Sequence, residues 1–430
     1  MLRLGRLAGG VAGTAVGQGI RQWSSGQRPS SGQLWLNPAN AQRLTAQLSQ
    51  MRGAVLKIGQ LLSMEAGDLL PAELTDILAG LRDSADAMPE DQLFAVLEAN
   101  LGTDWRQQFS AFETRPFAAA SIGQVHSAVD TGGRRLAVKV QYPGVATSID
   151  SDIDNVAMLF NLLRLLPSGL DIDALLEIAR RQLHDEADYQ KEAASLRRYR
   201  ARLGPDPVFR VPDVIDTLSA RQVLTMEFIE GGSIERMRDL PAARRDWLAS
   251  RMINLTLKEF LHWGLVQSDP NFANFLFDAE NQRIGLLDFG ALRINDSNRA
   301  PAFARLLNAA LRQDLEAIVD AAIEVGYLDA SDCFNARMTI ADMVMMAAEP
   351  ARHSGAYDFT HSRLAQRLGE ALYQLRQHEV FQRVPPADVL FLHRKLAGIY
   401  MLCARINARV DVRACIDEVL DETTSRALAV

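Results

Sequence analysis

Cysteine is scarce and poorly placed for cross-linking. The 430 residues hold three, Cys333, Cys403 and Cys415, an odd number confined to the last quarter of the chain. This excludes a disulfide framework and a cysteine-based metal centre, and it points to a reducing compartment. Long apolar runs are missing too. The most apolar late segment, Val389-Leu-Phe-Leu-His-Arg-Lys-Leu396, is cut by His393, Arg394 and Lys395, so no transmembrane helix is expected. Acids are absent from residues 1–64, which carry seven basic side chains: Arg3, Arg6, Arg21, Arg28, Arg43, Arg52 and Lys57. The remainder therefore holds a formal charge of −14 within a chain total of −7. An acidic body excludes nucleic acid as the expected partner, whereas the basic start suits an anionic membrane surface touched from outside.

With 48% apolar residues in 430, the chain can bury a large core and is expected to hold two or three lobes. The first forty residues are rich in Gly, Ala, Ser and Gln with scattered Arg. They have the cast of a mitochondrial leader, but Gly9-Gly-Val-Ala-Gly-Thr-Ala-Val-Gly17 is poor helix-forming material and no clear cleavage pattern ends it. Residues 1–39 are expected to form a flexible basic segment. The expected location is cytoplasmic and peripheral to an inner membrane, or mitochondrial in a eukaryote.

Regular structure is expected from about residue 40. Leu44, Leu48, Met51, Val55, Ile58 and Leu62 recur at steps of four and three, one apolar stripe on one helix. Lys57 and Gln60, three apart, share a face of that helix; such a pair is ordinarily solvent-facing. A second helix is expected from Asp68 and a third from Asp91 to Asn100, so residues 40–105 form a helical extension. Alternation then begins. Phe117 to Val129 and Arg135 to Gln141 read as two strands joined by the turn Asp130-Thr-Gly-Gly133. The loop Ala118-Ala-Ala-Ser121 offers backbone N–H groups to phosphates, though alanine reaches positive φ at a cost and makes a stiffer cradle than glycine. Lys139, in Ala-Val-Lys, is placed to meet the same phosphates.

A lysine in an apolar strand needs a partner. One is expected from a long helix spanning Asp171 to Arg202, which carries Glu186, Asp188 and Glu192. Asp188 and Glu192 are four apart and share a face, while Glu186 points away. One lysine cannot satisfy both glutamates, so Lys139 is paired with Glu192, and Glu186 is left for a second cation, Lys57. The strand-like Gln222 to Gly231 ends in Gly-Gly-Ser, as a hinge would, and backbone groups at Glu227 and Phe228 are suited to hydrogen-bond adenine.

The chemistry concentrates in Gln267-Ser-Asp-Pro-Asn-Phe-Ala-Asn274 and Ile284-Gly-Leu-Leu-Asp-Phe-Gly290. Asp269 and Asn274 have the D-x-x-x-x-N spacing of a kinase catalytic loop, and Asp288 opens a D-F-G nineteen residues after Asp269. Phe275-Leu-Phe277 and Ile284 to Leu287 read as a hairpin presenting both Asn274 and Asp288 from one end. Mg²⁺ takes hard oxygen ligands, so Asp288 and Asn274 with ATP phosphates suffice to hold it, leaving Asp269 for the attacking hydroxyl or water. Beyond Gly290 there is no A-P-E and no long segment for docking peptide substrates. The chain goes on as amphipathic helices, starting from Pro301 at a first helical position.

Lys57-Ile-Gly-Gln60, Ala118-Ala-Ala-Ser-Ile-Gly-Gln124, Ala137-Val-Lys139, Glu186-x-Asp-Tyr-x-x-Glu192, Met226-Glu-Phe228, Asp269-Pro-x-x-x-Asn274 and Asp288-Phe-Gly290 follow one another as in the UbiB/ADCK (AarF-like) family of atypical protein-kinase-like proteins, which the chain resembles over about residues 40–295. The tail Leu390 to Leu396 is similar as well. The resemblance implies an α+β, bilobal protein-kinase-like fold: a β-rich N-lobe at 106–230, a helical C-lobe at 231–430, and the added helical extension. It implies binding of ATP and Mg²⁺, with ATPase or small-molecule kinase activity linked to isoprenoid quinone (ubiquinone) biosynthesis at membranes and a small lipid or quinone precursor as acceptor. In that family the K-x-G-Q helix lies over the active site with its lysine near the first glutamate of E-x-D, and an alanine-rich loop replaces the glycine-rich one. The family's catalytic loop usually reads H-x-D-P-H-P-G-N; here Asp269, Pro270 and Asn274 remain, while Gln267, Asn271, Phe272 and Ala273 depart from it. Two other functions stay open on the sequence: a nucleotide-binding scaffold in a lipid-synthesis complex, and a protein or antibiotic phosphotransferase.

Overall fold

A computed structural model of the protein describes residue 48 and residues 51–66, 87–162, 172–269, 271–294, 299–377 and 387–427. The basic segment 1–39, Leu44 of the apolar stripe, the helix expected from Asp68 and the residue Pro270 lie outside these. Contacts divide the chain into one unit of Met1–Gln190 with Ile215–Glu227 and another of Lys191–Val214 with Phe228–Val430.

In the first unit, helices α1 (Arg52–Ala66) and α2 (Glu90–Leu101) precede strands β1 (Phe109–Phe112), β2 (Ala118–Ala119), β3 (Gly123–Asp130) and β4 (Arg135–Gln141), then helices α3 (Val145–Leu162) and α4 (Ile172–Glu186). The chain continues as α5 (Tyr189–Leu203) and β5 (Phe209–Arg210), and β6 (Val223–Glu227) returns to this unit. The sheet runs β1-β3-β4-β6, with β2 on β3. The expected hairpin is β3–β4, in which Lys139 stands opposite Val125. Its turn closes because the Asp130 carboxylate accepts the N–H groups of Gly132 and Arg134 while Gly133 takes a φ of 82°.

Strand alternation gives the sheet two faces. Leu136, Val138 and Val140 point into a core with Leu93, Val96, Leu97 and Trp105, so α2 covers one face. Ala137, Lys139 and Gln141 occupy the other. The apolar stripe of the extension is buried where described, through Leu48, Met51, Val55, Ile58 and Leu62, and α1 packs on α3 and α4.

The long helix expected over 171–202 is two helices. α4 ends at Glu186 and α5 starts at Tyr189. Asp188 sits in the break, its carboxylate accepting the Gln190 N–H at 3.2 Å, so it starts a helix in the manner of an N-cap. Asp188 and Glu192 therefore do not share the face of one continuous helix.

The second unit holds β7 (Gly232–Ser233), α6 (Ala242–Lys258), a π-helical turn Glu259–Trp263, β8 (Leu265–Gln267), a 3₁₀ turn Phe272–Asn274, β9 (Phe275–Asp278), β10 (Arg283–Leu286) and β11 (Leu292–Ile294). Its sheet runs β5-β10-β9-β7, and β11 pairs with β8. The expected hairpin is β9–β10, with Phe275 opposite Leu286. Gly-Gly-Ser is a short strand rather than a plain break, because Gly231, at φ 152°, brings the backbone so close to Phe277 that a Cβ would lie 3.2 Å from its main chain.

Helices follow to the end: α7 (Arg299–Arg312), α8 (Leu315–Val325), α9 (Phe334–Ala347), α10 (Glu349–Arg352), α11 (Leu364–Gln377), α12 (Ala387–Arg405) and α13 (Val412–Ala427), with the short strands β12 (Tyr357–Asp358) and β13 (Arg409–Val410) pairing among them. α7 begins at Arg299, so Pro301 is its third residue, still in the turn whose N–H groups need no helical acceptor. Leu306, Ala310, Ile318, Ala322 and Val325 pack with Leu392 of α12 in one core.

Candidate active site

Lys139 occupies an interior strand, between β3 and β6, and is 9% exposed. Its ammonium stands 4.9 Å from the ring centroid of Tyr189, a cation–π contact. Tyr189 is itself buried and opens α5. Two strand residues along, the Gln141 side chain donates to the Ala187 carbonyl at 2.9 Å. The break between α4 and α5 is thus fastened to the face of the sheet that carries Lys139.

Glu186 ends α4, where the negative end of the helix dipole disfavours a carboxylate. Both its oxygens are occupied. Lys57 donates to Oε1, and the Ser121 hydroxyl donates to Oε2 at 2.8 Å. The expected contact between Lys57 and Glu186 is formed, and Lys57 is buried to 5% exposure rather than turned to solvent as helix lysines usually are. α1 also lies directly on the alanine loop: a Cβ on Gly53 would stand 2.9 Å from the Ile122 side chain and 3.4 Å from the Ser121 carbonyl.

That loop is itself a tight turn. Ala118 and Ala119 pair with Val125 and Gln124, and the Ala120 N–H donates to the Gly123 carbonyl at 2.8 Å. The Ala120 N–H is thereby committed within the turn. Glu227 ends β6 opposite Leu136 and is exposed, and the division between the units falls between it and Phe228. Glu192, in the first turn of α5, is 2% exposed.

In the second unit, the β9–β10 hairpin brings the loop and the D-F-G together. The Leu287 N–H donates to the Asn274 carbonyl at 3.0 Å, so Asn274 and Asp288 leave the same end of the hairpin. The Asn274 side-chain amide donates to Asp269 Oδ2 at 2.9 Å, which leaves its Oδ1 as the oxygen available to a cation. Asp288 Oδ1 accepts the Gly290 N–H at 2.9 Å. The Asn271 side chain caps the 3₁₀ turn through the Ala273 N–H at 3.1 Å, and Ala273 lies within that turn, whose backbone has negative φ. Alanine fits there without the strain that a glycine position would impose.

A carboxylate and an amide oxygen are the hard donors a small divalent cation accepts. Among the described residues no cluster of three or more His, Cys, Asp or Glu is suited to a metal. A cation at Asn274 and Asp288 would therefore complete its shell with water or phosphate oxygens, as Mg²⁺ does.

Several contributors escaped the sequence reading. Tyr189 under Lys139 and Gly53 against the alanine loop are two. A third is a buried charge cluster: Lys395 lies 3.0 Å from Glu259, whose other oxygen accepts the Tyr199 hydroxyl at 2.7 Å. Burial pushes the Glu259 carboxyl up, against the opposing pull of Lys395, Tyr199 and the Gln267 N–H. The adjacent cations of His393-Arg-Lys395 inside an apolar helix were the available signal.

The lysine-bearing antiparallel sheet of one unit, and the Asp-Asn loop held to a D-F-G in the other, largely helical unit, are the marks of a protein-kinase-like fold. Residues 80–322 match the ABC1 atypical kinase-like domain, and the chain belongs to that family. It is 37% identical over 422 residues to the zebrafish (Danio rerio) protein "Atypical kinase COQ8B, mitochondrial", covering 96% of this chain and 67% of the relative. It is 36% identical to "Atypical kinase COQ8, mitochondrial" of Saccharomyces cerevisiae, over 97% of this chain and 84% of the relative. The solved complex of Rv3197 with erythromycin from Mycobacterium tuberculosis superposes with a TM-score of 0.61 at 25% identity, covering 88% of this chain and 95% of that one. The enzyme class is accordingly that of the atypical kinase-like phosphotransferases and ATPases. No helix among the described residues is long and apolar enough to cross a membrane.

Proposed function

We propose that the protein is a Mg²⁺-dependent ATPase or small-molecule kinase that supports isoprenoid quinone (ubiquinone) synthesis. Its acceptor is water or a small lipid or quinone precursor, reached at an anionic membrane surface through the basic N-terminal segment. The observation that carries this reading is the hydrogen-bonded set Asp269–Asn274 at the hairpin end shared with Asp288. ATP and its metal supply an activated phosphoryl group. Asn274 and Asp288 would hold the metal, Lys139 and Glu192 would serve the phosphates, and Asp269 would accept the proton of the attacking hydroxyl or water as ADP leaves. Ala118, Ala119, Ala120 and Ser121 border the phosphates, and backbone groups at Glu227 and Phe228 take the adenine. Lys57 and Glu186 hold α1 on the alanine loop and so limit what enters, which disfavours a polypeptide acceptor.

The test is ATP turnover by the purified full chain, with and without anionic vesicles and a quinone-precursor mimic, beside a thermal-shift titration. Binding at a hundredfold excess over Kd stabilises the native state by about 2.7 kcal/mol. Asp288→Asn is expected to abolish the Mg²⁺-dependent shift, and an unchanged shift removes Asp288 from the site. The erythromycin complex of Rv3197 suggests a second acceptor class. Phosphorylation of a macrolide, with no response to the quinone mimic, would favour it.

A further inference from the structure

α12 turns two consecutive cations inward, Arg394 at 4% and Lys395 at 1% exposure. Buried lysines are rare and costly unless paired. Lys395 meets Glu259, which is fully buried, at 3.0 Å, and it donates to Gln267 Oε1 at 3.3 Å. Glu259 opens the π-helical turn, a departure from α-helical pairing that is frequent at functional sites. Its carboxylate accepts from the Tyr199 hydroxyl and from the backbone N–H of Gln267. The Gln267 amide nitrogen then donates to the main-chain carbonyl of Asp288 at 3.3 Å, and Arg394 approaches Asp269 Oδ1 at 3.7 Å. Residues more than a hundred positions downstream thus approach the Asp269 carboxylate directly and, through the Gln267 amide, the main chain of Asp288.

The side-chain amide has only one orientation that serves both neighbours. A cation has no acceptor, so Lys395 must face Oε1, and Nε2 is left to face the Asp288 carbonyl. A glutamate at 267 would satisfy Lys395 but set a carboxylate oxygen against that carbonyl. Stability alone does not account for the arrangement, since apolar residues commonly replace a buried ion pair at no net cost.

We propose that Lys395 and Glu259 form a buried strut that, through the Gln267 amide, positions the Asp269–Asn274 loop against Asp288, making Lys395 and Gln267 positioning residues for the chemistry. This rests on the ATP-dependent reading above. Lys395→Met alone leaves Glu259 buried and unpaired, so it can unfold the unit. The informative variant is the neutral pair Glu259→Gln/Lys395→Met, beside Gln267→Glu and the conservative Lys395→Arg.

ATP turnover, Mg²⁺-ATP thermal shift and backbone hydrogen exchange are read on the same full-length samples. The neutral pair is expected to keep its melting temperature and a KM for ATP within about twofold, to lose kcat at least tenfold, and to exchange at least tenfold faster over 265–274. Gln267→Glu should behave alike, and Lys395→Arg should recover most of kcat. Unchanged exchange over 265–274 in the neutral pair overturns the proposal, as does wild-type kcat in that variant. Faster exchange there in a chain whose wild type shows no Mg²⁺-ATP shift upholds the strut and overturns the ATP-dependent reading instead.

Discussion

Lys57 of α1 and Glu186 at the end of α4, 129 residues apart in sequence, form an ion pair in which the lysine is 5% and the glutamate 18% exposed. The pair fastens α1 to the end of α4 within one unit. The second oxygen of Glu186 holds Ser121 of the alanine loop, so three separate stretches of chain meet at one carboxylate.

Charge reversal tests the coupling. Lys57→Glu faces Glu186 with a like charge and is expected to lower unfolding stability by about 2–4 kcal/mol, with Glu186→Lys restoring part of it in the double variant. A double-mutant cycle by denaturant unfolding should give a coupling energy of about 1–3 kcal/mol. Additivity within about 0.5 kcal/mol would reduce the pair to two independent contacts.

Two helical glycines should respond with opposite signs. Gly369 in α11 has open space where a methyl would stand, with nothing within 4 Å, so Gly369→Ala should raise stability by about 0.5–1 kcal/mol through helix propensity. The same change at Gly53 meets the Ile122 methyl at 2.9 Å. Overpacking of about 1–3 kcal/mol outweighs the propensity gain there, so Gly53→Ala should lower the melting temperature. A rise in melting temperature for Gly53→Ala contradicts the close seating of α1 on the alanine loop.

His126 predicts a pH dependence of the sheet. Fully buried, it accepts from the Gln124 side-chain nitrogen at 2.8 Å, because the Gln124 oxygen already takes the Met88 N–H, and its other ring nitrogen donates to the Glu113 carbonyl at 2.8 Å. The ring stacks on Phe112. Burial lowers its affinity for a proton below the usual 6.5, only partly opposed by the Glu113 hydrogen bond. The unfolded chain therefore binds the proton more tightly, so the contribution is fully present above pH 6.5 and is lost as pH falls through the folded value. Unfolding midpoints should drop on acidification below 6.5, and His126→Gln should flatten that slope; an equal slope in both proteins would assign it to other groups.

The alanine loop offers a fourth test. Ala119 pairs with Gln124 in a two-residue strand, and glycine there would loosen the turn. Ala119→Gly should change the ratio of ADP to ATP affinity, measured by thermal shift, or raise autophosphorylation. Identical affinities and no phosphorylation would leave the loop a packing element.

Much of this protein is decided locally and could be read in order along the chain. The β3–β4 turn follows from Asp130 and Gly133, the β9–β10 hairpin from two short apolar runs around a turn, and the meeting of Asn274 with Asp288 from that hairpin alone. The apolar stripe of α1 likewise announced a helix that had to be covered. Even the partner of Lys57 was accessible by counting charges, because a carboxylate near the sheet lacked a cation.

What the sequence could not decide depends on atoms brought together from distant stretches. The helix break at Ala187-Asp188 has no glycine or proline to mark it, and it is held by Gln141 across the sheet and by the capping carboxylate of Asp188. The closeness of Gly53 to Ile122 is a packing distance, invisible to periodicity. Lys395, Glu259 and Gln267 lie in three separate elements, and nothing local in any of them names the other two as its partners. Only burial in a shared interior turns them into a charge pair that must be satisfied, and that burial is a property of the folded chain.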